Sequence, residues 1–303
     1  MAKEMQNVDE HLMRARLPVA KHRESNVHEN TALEKRDIYL LCGPTSSMKT
    51  AVSDVLPEHM SEAGMKDPEF INTDTMQLFP PSTLAASPSA TQLARNHRLF
   101  GVRTYDQTTS RSDWQDLALD AIRDAFNKGK QPILIGGARS LIACLVEGTE
   151  EIILNANKGR EPTFPREPEK PPFFPYKLNT ILLLPPEETI FAAIRRRIEK
   201  NIENIIAEVR RLSEAGFALS TAVFGTIGLP EILKFLDEKK PLQQTIEKIV
   251  ARTESYAQQQ RAFFIELQHK LMTKSPGNIV TIYSMNKMKR IAQIMEFMRK
   301  KMM

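Results

Sequence analysis

The chain has 303 residues, of which 41% are hydrophobic and 26% are charged, a composition typical of a globular protein of one or two domains. It contains no run of 18 apolar residues, which argues against a membrane-spanning helix. The 42 Lys and Arg against 37 Asp and Glu give a formal net charge of +5, which permits a nucleic-acid partner without requiring one.

The N-terminal segment, residues 1–36, mixes acidic and basic side chains and shows no apolar period. It has neither the apolar centre of a secretory signal nor the acid-poor composition of a transit peptide. We therefore expect a mobile polar tail on a cytoplasmic protein. Cys42 and Cys144 lack metal-binding spacing, so we expect them to be buried thiols.

Residues 37–150 alternate between apolar strands and helices, which is typical of a parallel sheet covered by helices. We predict strands at 37–42, 69–73 and 131–137, and helices from Lys49, over 112–127 and over 139–146.

A proline-rich stretch, residues 151–178, follows this core and predicts a linker or a reduced insertion. The next predicted part, 179–270, starts with a strand and is then mostly helical. We expect the last segment, 271–303, to be a basic tail.

The segment after the first strand predicts a phosphate-binding loop. It reads Gly43, Pro44, Thr45, Ser46, Ser47, Met48, Lys49, Thr50, close to the GxxxxGK[ST] pattern. In that pattern Lys49 would reach the outer phosphates and the Thr50 hydroxyl would bind Mg²⁺. Met48 replaces the second glycine, where the backbone passes close to the phosphates. A degenerate loop that binds weakly is therefore the alternative.

Asp74 follows the second predicted strand. The carboxyl ends of parallel strands face the ligand crevice of an open sheet. Asp74 is therefore a candidate general base, a magnesium ligand, or a cap for the next segment.

Together, GPTSSMKT and INTDTMQ (71–77) resemble the tRNA dimethylallyltransferases and the cytokinin-forming adenylate isopentenyltransferases. Those families carry a GPTxSGKS/T loop and a strand ending in INADSMQ. The match continues at 97–101, at Trp114 and at 131–137, and more faintly at 227–231 and 252–260. The resemblance implies a P-loop NTPase-like α/β fold with a helical C-terminal part and a reduced insertion region.

The resemblance also implies a reaction, the transfer of a dimethylallyl group from its diphosphate to N6 of adenine. Lys49, the loop and Mg²⁺ at Thr50 would stabilise the leaving diphosphate, and Asp74 would accept the N6 proton. The adenine acceptor would be bound by four further residues, Thr75, Gln77, Gly136 and Gly137. The protein is expected to act as a monomer.

Several site positions depart from the family pattern. Ala138 and Arg139 replace Thr and Gly of GGTG, and Gln258 and Gln259 replace a basic pair. Arg139 or Arg252 could supply the missing charge. Arg195–Arg197 is interpreted as a solvated helix face rather than a contact with a phosphate backbone.

Four functions remain open at this point. Two are the dimethylallyl transfer itself, either to adenine in tRNA, at a position of the 37 type, or to free AMP or ADP. The other two are a protein of this family that has lost catalysis and a P-loop small-molecule kinase.

Overall fold

The computed structural model describes residues 36–80, 97–107, 109–146, 176–214, 221–238 and 241–302. The expected N-terminal tail, except for Arg36, lies outside the described residues. So does the proline-rich segment up to residue 175, and with it the predicted domain boundary at 150.

Five strands form one sheet in the order β2-β3-β1-β4-β5, and every neighbouring pair is parallel. This arrangement confirms the predicted α/β class. The strands are β1 (Asp37–Cys42), β2 (Pro68–Asn72), β3 (Gln131–Gly136), β4 (Lys177–Leu183) and β5 (Ile279–Ile282).

Nine helices are described around this sheet. They are α1 (Lys49–Ser53), α2 (Leu56–Glu62), α3 (Arg111–Asn127), α4 (Arg139–Leu145), α5 (Glu187–Glu214), α6 (Thr221–Phe224), α7 (Leu229–Glu238), α8 (Leu242–Lys274) and α9 (Lys287–Met302). The helix predicted from Lys49 ends after five residues, and Pro57 lies in the first turn of the helix that follows. None of the described helices is long and apolar enough to cross a membrane.

Alternate residues of each strand point to opposite faces of the sheet, and each face has its own core. On one face Ile38 and Leu40 of β1 belong to a buried cluster that includes Trp114 of α3 and Phe264 of α8. On the other face Leu41 packs in a cluster with residues from α1, α2 and α9. Cys42 and Cys144 are free and buried, as expected.

The predicted C-terminal tail is the main difference from the sequence analysis. Residues 279–302 form β5, which pairs with β4, and α9, which covers one face of the sheet. Ile291, Ile294 and Met298 of α9 are buried at helical spacing. The basic side chains of α9 lie mostly on its outer face, and this apolar stripe is what attaches the segment to the core.

The topology brings three loops to one edge of the sheet. β1 lies between β3 and β4, and the chain reaches β2 and β3 on one side before it crosses to β4 on the other. Ligands of open parallel sheets bind at the carboxyl ends of the strands where the winding reverses. The segments after β1, β2 and β3 therefore form the candidate site.

Candidate active site

The loop after β1 keeps a tightly curved conformation despite Met48. Ser46 and Met48 both adopt left-handed backbone conformations, with φ of 58° and 68°. Such a conformation costs a residue with a side chain about 1–2 kcal/mol. It explains why the general motif has glycine at the position of Met48. Met48 itself is 39% exposed, so its side chain lies at the surface of the loop.

Lys49 is enclosed by the loop. Its Nζ donates to the carbonyl oxygens of Gly43 at 2.9 Å and Pro44 at 2.8 Å. Burial lowers the pKa of Lys49 to about 8, against the field of Asp74, which favours its protonated form. Lys49 is therefore a cation held at the centre of the loop, as the motif predicts.

Two glycines allow the end of β3 to pass close to its neighbours. A Cβ on Gly136 would lie 2.2 Å from the carbonyl oxygen of Thr73, and one on Gly137 would lie 2.8 Å from that of Gly43. Both distances are far below van der Waals contact, so neither position accepts a larger residue without rearrangement. We predicted that Gly136 and Gly137 bind the acceptor. Close backbone packing is a separate reason for glycine at both positions.

Gln260 of α8 joins the loop to the end of β3. Its side-chain oxygen accepts the Thr45 N–H at 2.8 Å, and its Nε2 donates to the Gly137 carbonyl at 2.8 Å. The side chain is buried, which strengthens both hydrogen bonds relative to an exposed pair. Gln260 belongs to the faint family match at 252–260, and the sequence analysis assigned it no role.

Asp74 is held in place by Asn72, the last residue of β2. The Asn72 side chain accepts the Asp74 N–H and donates to the Asp74 carbonyl, both at 2.8 Å. One carboxylate oxygen of Asp74 accepts the Met76 N–H at 3.1 Å. This hydrogen bond is compatible with the interpretation of Asp74 as a cap for the next segment. Burial also raises the pKa of Asp74, while Lys49, the N–H groups of Met76 and Gln77, and Arg197 favour its charged form.

Thr75 follows Asp74 directly, and Gln77 lies three residues after Asp74. Thr75 precedes a short 3₁₀ helix, Met76–Leu78, that contains Gln77. The carbonyl of Gln77 accepts the Gly101 N–H at 3.0 Å, which ties this turn to the 97–107 segment. Both residues thus lie at the same edge of the sheet as Asp74, and their part in acceptor binding stays a prediction.

Arg197 of α5 is a site residue that the sequence analysis missed. It is half-buried, and its Nη1 lies 3.4 Å from the Thr45 hydroxyl of the loop. Burial lowers its pKa, and Asp74 opposes that change. The positive charge of Arg197 also lowers the pKa of Lys49, so the two cations and Asp74 form one electrostatic cluster. The solvated-face interpretation fits Arg195, which pairs with Glu247 at 2.8 Å, but not Arg197.

The positions that depart from the family pattern have new partners. Arg139 donates to Gln259 at 3.4 Å, and Gln258 donates to Glu187 at 2.9 Å. Arg139 therefore places a cation beside one of the two glutamines that replace the basic pair. Arg252 pairs instead with Glu231.

Thr50, the predicted magnesium ligand, is half-buried in α1. No group of three or more His, Cys, Asp or Glu in the described part of the chain is arranged to hold a metal ion.

A protein-family model described as IPP transferase matches residues 82–164 and 151–267, together more than half of the chain. The phosphate loop and Asp74 precede the matched segments, and α9 follows them. Over a longer span, the chain is 25% identical to a tRNA dimethylallyltransferase of Rhodospirillum centenum. That alignment covers 81% of this chain and 93% of the relative.

Two solved structures share the fold. The tRNA isopentenylpyrophosphate transferase of Bacillus halodurans has a TM-score of 0.65 at 18% identity, covering 88% of this chain and 96% of that one. The tRNA delta(2)-isopentenylpyrophosphate transferase of Staphylococcus epidermidis has a TM-score of 0.66 at 17% identity, covering 88% and 99%.

Proposed function

The chain belongs to the IPP transferase family, and we propose that it transfers a dimethylallyl group from dimethylallyl diphosphate to N6 of adenine in tRNA, at a position of the 37 type. One observation supports this proposal above the others. A half-buried carboxylate, Asp74, shares a site with two cations, Lys49 of the phosphate-type loop and Arg197 of α5. Such a site offers both an acceptor for a proton and a place for an anion.

The cationic side of the site suits the leaving group. As the allylic C–O bond breaks, negative charge develops on the diphosphate and positive charge on the allyl carbon. Lys49 and Arg197 lie at the loop, where they would stabilise the diphosphate, and their burial would strengthen that interaction. Lys49 would exchange its bonds to the Gly43 and Pro44 carbonyls for bonds to the phosphate oxygens.

The carboxylate side suits the acceptor. The N6 lone pair is delocalised into the adenine ring, so N6 needs to lose a proton as its bond to the allyl carbon forms. Asp74 would take that proton, and its raised pKa brings it closer to the operating pH, where a general base is most effective. In the complete step, the C–N bond would form as the C–O bond breaks, the N6 proton would pass to Asp74, and diphosphate would leave.

Mg²⁺ fits the residues that are present. Mg²⁺ usually keeps several waters and binds substrate phosphates, and in phosphate-loop sites the Ser or Thr hydroxyl after the lysine is a protein ligand. The Thr50 hydroxyl, next to Lys49, is the protein ligand that we propose. When bound, Mg²⁺ would neutralise part of the charge on the leaving diphosphate.

The remaining sequence predictions belong to the same proposal. We infer that Thr75 and Gln77, beside Asp74, contact the adenine, and that the backbone at Gly136 and Gly137 also binds it. The curated relatives are named for tRNA, which favours tRNA over AMP or ADP. A cytoplasmic location and a monomeric state remain predictions.

The test is product formation from dimethylallyl diphosphate and Mg²⁺ with unmodified tRNA carrying A36 and A37. Parallel reactions contain the same tRNA with guanine at position 37, AMP, or ADP, and nucleosides are analysed by mass spectrometry. We expect N6-dimethylallyladenosine from the A37 tRNA only. Product from AMP or ADP alone would identify the free-nucleotide enzyme. No product from any acceptor, with diphosphate still bound, would identify a member that has lost catalysis. Phosphate transfer from ATP would identify a kinase.

A further inference from the structure

A buried arginine of the C-terminal helix α9 donates a hydrogen bond to the backbone of the phosphate loop. Arg290 of α9 is 1% exposed. Its Nη1 donates to the Ser47 carbonyl at 2.9 Å, its Nε to the Ser284 carbonyl at 2.8 Å, and its Nη2 to the Met285 sulfur at 3.0 Å. Arg290 lies beyond residue 267, where the family match ends.

The charge of Arg290 is costly to bury. Desolvation lowers the pKa of its guanidinium, and no described carboxylate offsets that effect. Removing a cation from water without an ion-pair partner opposes folding, so the three hydrogen bonds of Arg290 have to offset that cost. Two of its three acceptors lie just before α9, and only the Ser47 carbonyl lies in the loop.

The contact determines how one loop peptide is oriented. Ser47 O belongs to the peptide bond that joins Ser47 to Met48, and none of the described peptide bonds is cis. In a planar trans peptide the C=O and N–H groups point in opposite directions. With its carbonyl bound to Arg290, this peptide directs the Met48 N–H away from Arg290.

Met48 is also the residue for which this conformation is least favourable. Its φ of 68° lies in the left-handed region, which glycine adopts freely and methionine does not. A hydrogen bond from a charged donor is among the stronger single contacts in a protein. The contact from Arg290 to Ser47 is therefore strong enough to hold the loop where the motif's glycine is missing.

We propose that Arg290 is a positioning residue of the phosphate loop, which holds the Ser47–Met48 peptide in the conformation that binds diphosphate. The proposal makes α9 part of the site rather than a dispensable tail. It rests on the diphosphate site of the proposed function and is independent of the acceptor.

The test compares Arg290→Met with Arg299→Met, the same substitution at an exposed position of the same helix. Inorganic pyrophosphate with Mg²⁺ is the probe, binding is measured by calorimetry, and folding is checked by circular dichroism and thermal unfolding. We expect Arg290→Met to weaken binding about 10-fold or more, as for loss of a charged hydrogen bond. Arg299→Met should bind as the unmodified protein does.

A third variant separates positioning from general support of the fold. Met48→Gly, added to Arg290→Met, should recover about fivefold in affinity, because glycine adopts the left-handed conformation without strain. If Arg290 only anchors α9 to the core, a change at residue 48 would recover nothing.

The outcomes are decisive in each case. A folded Arg290→Met that binds pyrophosphate like the unmodified protein would overturn the proposal, and so would a loss that Met48→Gly does not relieve. If Arg290→Met does not fold, Arg290→Gln is used with the same rescue, since it is neutral and too short to make all three contacts. If both fail to fold even with Met48→Gly, Arg290 serves folding and the proposal is refuted. If the unmodified protein binds no pyrophosphate, the diphosphate site itself is wrong, which is a separate result.

Discussion

Replacing Arg197 with methionine removes one of the two cations that act on Asp74 and leaves an apolar side chain of similar length. Its contact with the Thr45 hydroxyl is long, 3.4 Å, so little loop structure is lost with it. What is lost is a half-buried positive charge at the proposed diphosphate position. A hydrogen bond to a charged group contributes about 1.5–3 kcal/mol, which corresponds to about 10- to 150-fold in affinity.

Two pKa changes accompany the loss of Arg197. Arg197 favours the charged form of Asp74, so the pKa of Asp74 should rise further in its absence. A base must be deprotonated to act, so the acid limb of the pH–rate profile should move to higher pH. Arg197 also lowers the pKa of Lys49, so that pKa should rise as well.

The matched control is Arg196→Met, one residue away on the same helix and exposed. Pyrophosphate affinity is measured by calorimetry, and turnover is measured with dimethylallyl diphosphate and A37 tRNA from pH 5.5 to 9. Arg196→Met should stay within about twofold in pyrophosphate affinity, as for an ordinary surface change. If Arg197→Met and Arg196→Met show the same affinity and the same pH–rate profile, Arg197 is not part of the site.

Two further predictions concern Asp74 and Lys49. Asp74→Asn should keep pyrophosphate binding but lower the single-turnover rate about 10²–10⁴-fold, because a general base is lost. The exposed Asp67→Asn is its control, and an Asp74→Asn enzyme with full turnover would contradict the mechanism. Because protonated Lys49 binds the anion and its pKa is about 8, pyrophosphate affinity should weaken above pH 8, by up to about tenfold per unit. The control is Lys49→Met, in which the remaining pH dependence comes from the ionisation of pyrophosphate itself. Equal pH dependence in both proteins would exclude Lys49 as the titrating group.

The central part of this site could be predicted because its residues follow consecutive strands. A strand, a phosphate-type loop and a helix are adjacent in sequence between 37 and 53, and the structure has them in that order. Asp74 directly follows the next predicted strand, and the carboxyl ends of parallel strands share one edge. Local pattern and sheet geometry are together sufficient to place these residues side by side.

Arg197 could not be assigned because three consecutive arginines look alike in sequence. Their environments differ through helix geometry, since each residue is rotated about 100° from the one before it. Ile194 and Ile198 are buried, and Arg197 follows the first by three residues and precedes the second by one. This position at the edge of the apolar stripe was the sequence signal that could have distinguished Arg197 from its two neighbours. The loop residue that Arg197 contacts, Thr45, lies 152 residues earlier in the chain, which no local pattern reveals.

Met48 raised the expectation of a degenerate loop, and the structure shifts the question to what supports the loop from outside. Gln260 of α8 binds the backbone at Thr45, and Arg290 of α9 binds it at Ser47. The two contacts lie on either side of the left-handed residue Ser46, and the second immediately precedes the left-handed Met48. Glycine adopts the left-handed conformation with little strain, whereas in this chain a methionine adopts it and two distant buried side chains bind the loop backbone. If Arg290 has the proposed positioning role, the competence of this substituted loop would depend on helices near the end of the described chain, which the loop motif alone does not reveal.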